Sequence, residues 1–180
     1  MFRALIIVQE GAGEVPYQVT VTLTSTVLRN QDTGDEEDTT GMLPRDKGLQ
    51  ALAELRHSKW FTAMAANLNS CVESIRIMKD KAQREMVWGC LGSWALEILV
   101  ERCLFSAGRN LSPSSSLMRV LEAVASGLLM NDGRGIKDPC EREDICVFSH
   151  LSTQMREDLT RKAQEEIRNV HFRWVRLYVG

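Results

Sequence analysis

Cys140, Cys146 and His150 are the residues whose types come nearest to a metal site in this sequence. Thiolates and an imidazole are good zinc donors, but a structural zinc takes four ligands, usually built on a paired Cys-x2-Cys knuckle. The spacing Cys-x5-Cys-x3-His supplies only three and has no knuckle, so no metal site is expected. Gly133-Arg134-Gly135 resembles a fragment of a phosphate-cradling loop. It follows a helical pattern and does not lie between a strand and a helix, so it reads as a helix stop and a tight turn. Asp32, Asp35, Glu36, Glu37 and Asp38 form an acidic cluster, but they lack the fixed alternation of a calcium loop and repel one another. His57, His150 and His171 have no evident partner, and no strand-turn-helix elbow presents a Ser or Cys nucleophile.

The elements that have to position any site are mostly helices. Ala4–Val8 is a short β-branched apolar run, and Gln18–Thr24 alternates Val19, Val21 and Leu23 with threonines, so both predict strands. Gly11, Gly13 and Pro16 lie between them, and an antiparallel pair is the simplest arrangement. Neither strand contains Asp or Glu, so two-metal nucleotidyl transfer has no carboxylates there to hold Mg²⁺. The acidic stretch 31–45 predicts a solvated loop. From Asp46, helical patterning runs to about Gln83, with a break expected at Asn67 or Asn69. Glu73, beside the apolar face, is expected to be exposed or paired with Arg76 or Lys79.

Trp88-Gly89 reads as a loop, and Ser93 as the cap of a buried helix over Trp94–Ala107. Ser112-Pro113 launches a helix whose apolar face is Leu117, Val120, Leu121, Val124 and Leu128, and which is expected to stop at Asn131-Asp132-Gly133. Beyond it, Asp138-Pro139-Cys140-Glu141 makes a corner stiffened by the fixed φ of Pro139. Ser152 can cap a last amphipathic helix from Thr153 to about Val179, whose other side (Arg156, Arg161, Lys162, Arg168, Arg173, Arg176) reads as a solvated basic face.

A chain of 180 residues, 44% hydrophobic and 26% charged, suits one compact domain or one lobe of a larger one. The net charge of −2 gives no global attraction to nucleic acid or anionic membrane. Five cysteines, an odd number partly set in apolar helical patterns, favour a reducing intracellular compartment. No stretch approaches the roughly 18 apolar residues of a membrane span, so no membrane association is expected.

Five blocks, Leu55–Phe61, Ser70–Asp80, Ser93–Arg102, Arg119–Glu141 and Arg156–Arg168, resemble in their order the DZF domain family. That family includes the interleukin enhancer-binding factors, spermatid perinuclear RNA-binding protein and the zinc-finger RNA-binding proteins, to which the likeness is greatest. The resemblance covers roughly 49–180, with a weaker part over the strands. Glu73 departs from it, standing where family members usually carry an aliphatic residue.

The resemblance implies an α+β, mostly α, chain: the helical C-terminal lobe of a nucleotidyltransferase-like, oligoadenylate-synthetase-like fold with a short N-terminal β-hairpin remnant. It implies strand-pair remnant over 1–30, acidic loop over 31–45 and helical lobe over 46–180. The Gly-Ser and carboxylate signature of a catalytic lobe is implied to lie before Met1. The implied role is non-catalytic: a dimerisation module, a pseudo-nucleotidyltransferase, in double-stranded-RNA-binding complexes of the nucleus, the cytoplasm or both. The implied partner is another DZF protein such as interleukin enhancer-binding factor two, with RNA bound indirectly or by domains elsewhere.

No cofactor is required, although ATP or UTP binding without turnover is an alternative. For that alternative the likeness of SCVESIR and SWALEIL to oligoadenylate synthetases implies Arg76 at the triphosphate and Ser93-Trp94 near the base. Within the DZF reading, pairing is expected at the corner Gly133, Gly135, Ile136, Asp138, Pro139, Cys140 and Glu141; direct RNA contact, a further alternative, would use Arg168, Arg173 and Arg176 on the basic side of the last helix.

Overall fold

The computed structural model describes residues 3–8, 17–22, 24, 45–108, 110–130 and 135–179, with side chains at 3–8, 17–20, 22 and 173–179 outside the description. The chain is mostly helical and divides into two compact units, Met1–Lys59 and Trp60–Gly180. In the first, β1 (Arg3–Val8) pairs antiparallel with β2 (Tyr17–Thr22), in register from Arg3 opposite Thr22 to Val8 opposite Tyr17. Helix α1 (Arg45–Trp60) buries Gly48, Ala51 and Leu52 at helical spacing, and the Gly48 carbonyl accepts a 2.7 Å hydrogen bond from Thr24 Oγ1. The acidic stretch 31–44 lies outside the described residues.

The second unit holds the core. The expected break in the long helical region is present. After α1 a π-helical turn, Phe61–Ala65, ends where Asn67 Nδ2 donates to the Ala63 carbonyl at 3.0 Å. The chain restarts as α2 (Cys71–Arg84) from Ser70, which has φ +60. Asn69 Nδ2 and Ser70 Oγ both donate to the Leu111 carbonyl, at 2.9 and 2.8 Å, and hold this unusual entry in place. Glu73 is exposed on α2, where an acid costs nothing in desolvation.

Trp88, assigned to a loop by sequence, instead lies in a short helix, α3 (Met86–Gly89), and is fully buried. Local propensity favours a loop at Trp88-Gly89, but burying the indole outweighs it. A Cβ on Gly89 would sit 2.9 Å from the Ala82 carbonyl, so glycine permits the close approach. Helix α4 (Ser93–Phe105) is buried on most sides, as its composition predicts. Its cap is Gly92 (φ 72), not Ser93; Ser93 is the first helical residue and its hydroxyl turns to Glu97 at 3.4 Å.

Helix α5 (Pro113–Ala125) starts as expected: the Ser112 hydroxyl accepts from the Ser115 N–H at 3.2 Å. It stops earlier than its apolar pattern suggests. Gly127, at φ +90, reverses the chain, so Leu128 and Leu129 reach the core from turns and not from a helix. Helix α6 (Thr153–Val179) buries Leu159 and Ala163. Arg156, expected on its solvated face, is instead half-buried and donates to the carbonyls of Leu151, Leu129 and Phe148. Three carbonyls at the turns around the start of α6 draw the guanidinium inward, and its N–H groups can serve all three.

The core of this unit gathers Trp88, Phe148, Met78, Leu96, Ile98, Leu99, Val120, Leu129 and Leu159, all less than 2% exposed. All five cysteines are free thiols. Among the described residues no helix is long and apolar enough to cross a membrane.

Candidate functional site

The corner after α5 is built from a short ladder and one carboxylate. Residues 136–138 pair with 145–147: Val147 N–H donates to the Ile136 carbonyl and Asp138 N–H to the Ile145 carbonyl, both at 2.9 Å. Gly135 opens it at φ +64, and a Cβ there would meet Cys146 Sγ at 3.0 Å, so the position suits glycine on two counts. Asp138 is only 8% exposed. Its Oδ2 accepts from Trp94 Nε1 at 2.8 Å and its Oδ1 from the Cys140 N–H at 2.8 Å. One acid thus closes its own turn and ties the corner to α4. Trp94 in turn lies edge-on to Trp60, with ring centroids 5.2 Å apart and planes at 80°.

Gly135, Ile136 and Lys137 also form one wall of an open groove of about 730 Å³. The other walls come from α4 (Arg102, Cys103, Ser106) and from α5 with its exit (Arg119, Glu122, Ala123, Ser126, Leu128). Three cations face one acid, over a floor that is partly apolar. Arg119 is oriented by its own chain: Nε donates to the Cys103 carbonyl at 2.6 Å and Nη2 to Ser106 Oγ at 3.1 Å. Those oxygens belong to the C-terminal end of α4, where a cation also meets the negative end of the helix dipole. Lys137 pairs with Asp144 at 3.2 Å, but both side chains are more than half exposed, so the pair holds weakly.

The residues implied for a nucleotide lie on two helices. Arg76 is exposed on α2. Lys79 pairs with Glu97, and Cys71 lies close enough to Glu101 for its thiol to feel that charge, so α2 and α4 run antiparallel. Arg76 and Ser93 therefore fall on opposite sides of the Lys79–Glu97 pair, roughly 10 Å apart along the helix axes at about 1.5 Å per residue.

Of the implied pairing residues, Ile136 and Asp138 are buried, while Gly135, Pro139, Cys140 and Glu141 are half-buried. Gly133 lies outside the described residues, as do the side chains of Arg173 and Arg176; Arg168 is exposed. Cys146, His150 and Cys140 do not converge as a ligand set among the described residues. His150 Nε2 lies 3.1 Å from the Cys90 carbonyl instead.

Sequence reasoning missed the cation set Arg102, Arg119 and Lys137, which come from three separate elements with no motif to link them. Arg119, interrupting the apolar face of α5, was the one local signal.

The thiols of Cys71 and Cys103 are each pushed up to about 12, chiefly by burial. They are inert packing groups at neutral pH.

Residues 70–178, more than half of the chain, match the family model of the DZF C-terminal domain. The chain belongs to the DZF family. The DZF match begins at Ser70, the left-handed residue that launches α2, and takes in the pinned corner and the whole groove. The strand pair and α1 lie outside it.

Proposed function

We propose that this chain is the helical C-terminal lobe of a nucleotidyltransferase-like pseudoenzyme, with β1 and β2 as a remnant hairpin of that fold. In this reading it is a non-catalytic dimerisation module in a double-stranded-RNA-binding complex, in the nucleus, the cytoplasm or both. Its partner is another DZF protein, with interleukin enhancer-binding factor two as the first choice, and RNA reaches it through the complex. One observation carries the reading: Asp138 ties the corner to α4 and closes its own turn, and the adjoining Gly135, Ile136 and Lys137 form a wall of the cation-lined groove. A surface ordered before binding loses less entropy when a partner docks.

Size-exclusion chromatography with light scattering of the chain mixed with that partner's DZF domain tests it. A stoichiometric complex that Asp138→Ala weakens is expected; separate species at all concentrations reject the reading. Incorporation of radiolabelled ATP should stay at background, and any product above it would restore an enzyme.

A second reading, nucleotide binding without turnover, is favoured by Arg76 being exposed while Lys79 and Lys81 are paired with acids. It predicts a calorimetric signal with ATP or UTP that Arg76→Ala reduces. No heat from the parent chain dismisses it.

A further inference from the structure

Glu101 is 1% exposed, on the most enclosed helix of the chain, and neither reading above uses it. The elements packed on α4 can be taken in turn. Helix α2 carries Cys71 and Ser74, both fully buried, and Glu73 in its first turn. Helix α5 carries Ser116, fully buried, and Arg119, bonded to the Cys103 carbonyl and Ser106. On α4 itself are Glu97, Arg102 and Cys103. The π-helical turn Phe61–Ala65, which also packs on α4, carries no titratable group.

Glu101 acts electrostatically on the Cys71 and Cys103 thiols, and Arg119 reaches the backbone of Cys103, so the three helices meet at this level. No protein donor reaches Glu101 Oε2. The one cation beside it, Arg102 Nε, stands 3.6 Å away on a side chain 43% exposed, too far for a hydrogen bond. Lys79, one turn along, is engaged by Glu97.

We propose that Glu101 is held as the neutral acid in the folded lobe and makes the packing of α2, α4 and α5 a pH-linked lock, firm when the acid is protonated and weakened as pH rises. A carboxylate there is taken out of bulk water with no protein donor on Oε2, which disfavours the charged form. A neutral carboxyl carries no charge to desolvate. Burial pushes its carboxyl pKa up from the ordinary 4.5, against a weaker opposing pull from Arg102. Since the folded pKa is raised, the stabilisation is full below the unfolded value and is lost as pH rises through the folded one.

The test is thermal unfolding of the full chain between about pH 5 and about pH 8.5, compared with Glu101→Gln and Arg102→Gln. The parent Tm should fall across this range by roughly 3 °C or more beyond any fall in Glu101→Gln, which lacks the titrating group. Arg102→Gln, an exposed change, should move the steepest part of the parent curve to higher pH. Infrared difference spectra of parent minus Glu101→Gln at about pH 5, above the ordinary carboxyl value, should contain the C=O band of a protonated carboxyl. If Glu101→Gln does not fold, that band in the parent and the upward shift of its midpoint in Arg102→Gln decide the question. Equal pH slopes in parent and Glu101→Gln, or no protonated-carboxyl band at about pH 5, overturn the proposal.

Discussion

Glu166 on α6 and Glu101 on α4 are carboxyl groups drawn out of water in the same helical unit, and their surroundings are opposite. Glu166, its side chain 15% exposed, receives Lys81 Nζ at 2.9 Å and Trp88 Nε1 at 3.0 Å. The same lysine bonds Glu85 at 2.5 Å, and Lys162 reaches Glu85 at 3.1 Å. Lys81 also lies 5.9 Å from the centroid of the Trp88 ring. Glu101 has only Arg102, at 3.6 Å.

The lesson is that burial alone does not set the charge of an acid; the donors that converge on it do. Where two lysines and an indole N–H meet two acids, the ion pairs and hydrogen bonds tie α2, α3 and α6 together. Where a buried acid has no donor on one oxygen and one cation at 3.6 Å, the neutral form is favoured.

The two regions should therefore answer pH in opposite directions. Lys81's H-bonds with Glu85 hold the Glu85 carboxyl below its usual 4.5, with burial opposing. That contribution is present above the unfolded pKa and is lost as pH falls through the folded one. For Lys81, burial works against the charge, but the bonds to Glu85 and Glu166 outweigh it and raise its pKa above 10.5. Its share is therefore lost only in strong alkali. The Glu101 contribution declines from about pH 4.5 upward.

The sharpest way to break the paired region is Trp88→Ala, which leaves a cavity in the core and frees Glu166 from one donor. Urea unfolding should show a loss of about 3–5 kcal/mol. Glu166→Ala should cost about 1.5–3 kcal/mol, because it leaves the Trp88 N–H unpaired and Lys81 with one acid instead of two. A measured cost near zero would mean the network adds nothing beyond packing.

Asp138→Ala removes the acceptor of both Trp94 Nε1 and the Cys140 N–H and should cost about 1–3 kcal/mol. Red-shifted tryptophan emission from Trp94 would mark the release of the corner. The smallest change in stability is expected for Glu101→Gln at about pH 5, within about 1 kcal/mol of the parent, since an amide replaces a neutral acid of the same shape. A large loss there would show that the carboxyl is charged and bonded. Finally, Cys71 and Cys103, with thiols pushed up to about 12, should react with a thiol reagent at neutral pH only as fast as the lobe opens.

Much of the helical lobe was legible because its signals are local. Ser112-Pro113 capped α5 as read, α4 was buried on most sides as its composition required, and the break near Asn67–Ser70 fell where polar residues interrupt the pattern. The errors arose where a distant partner outweighed local preference. Trp88 sits beside a glycine in a stretch that reads as loop, yet Glu166, far along the chain, receives its N–H. Arg156 belongs by periodicity to a solvated face, yet three carbonyls drew it in. Gly127 ended α5 early because the apolar residues beyond it pack equally well from turns.

The sequence by itself determined the DZF membership, the helical character of the lobe and the apolar faces of α4, α5 and α6, because periodicity and end signals act within a few residues. Only the tertiary structure decided that Asp138 is tied to Trp94, that Arg102, Arg119 and Lys137 share one groove, and that Glu101 is buried with no donor on Oε2. Each depends on side chains from different helices meeting at one level, and spacing along the chain does not encode that.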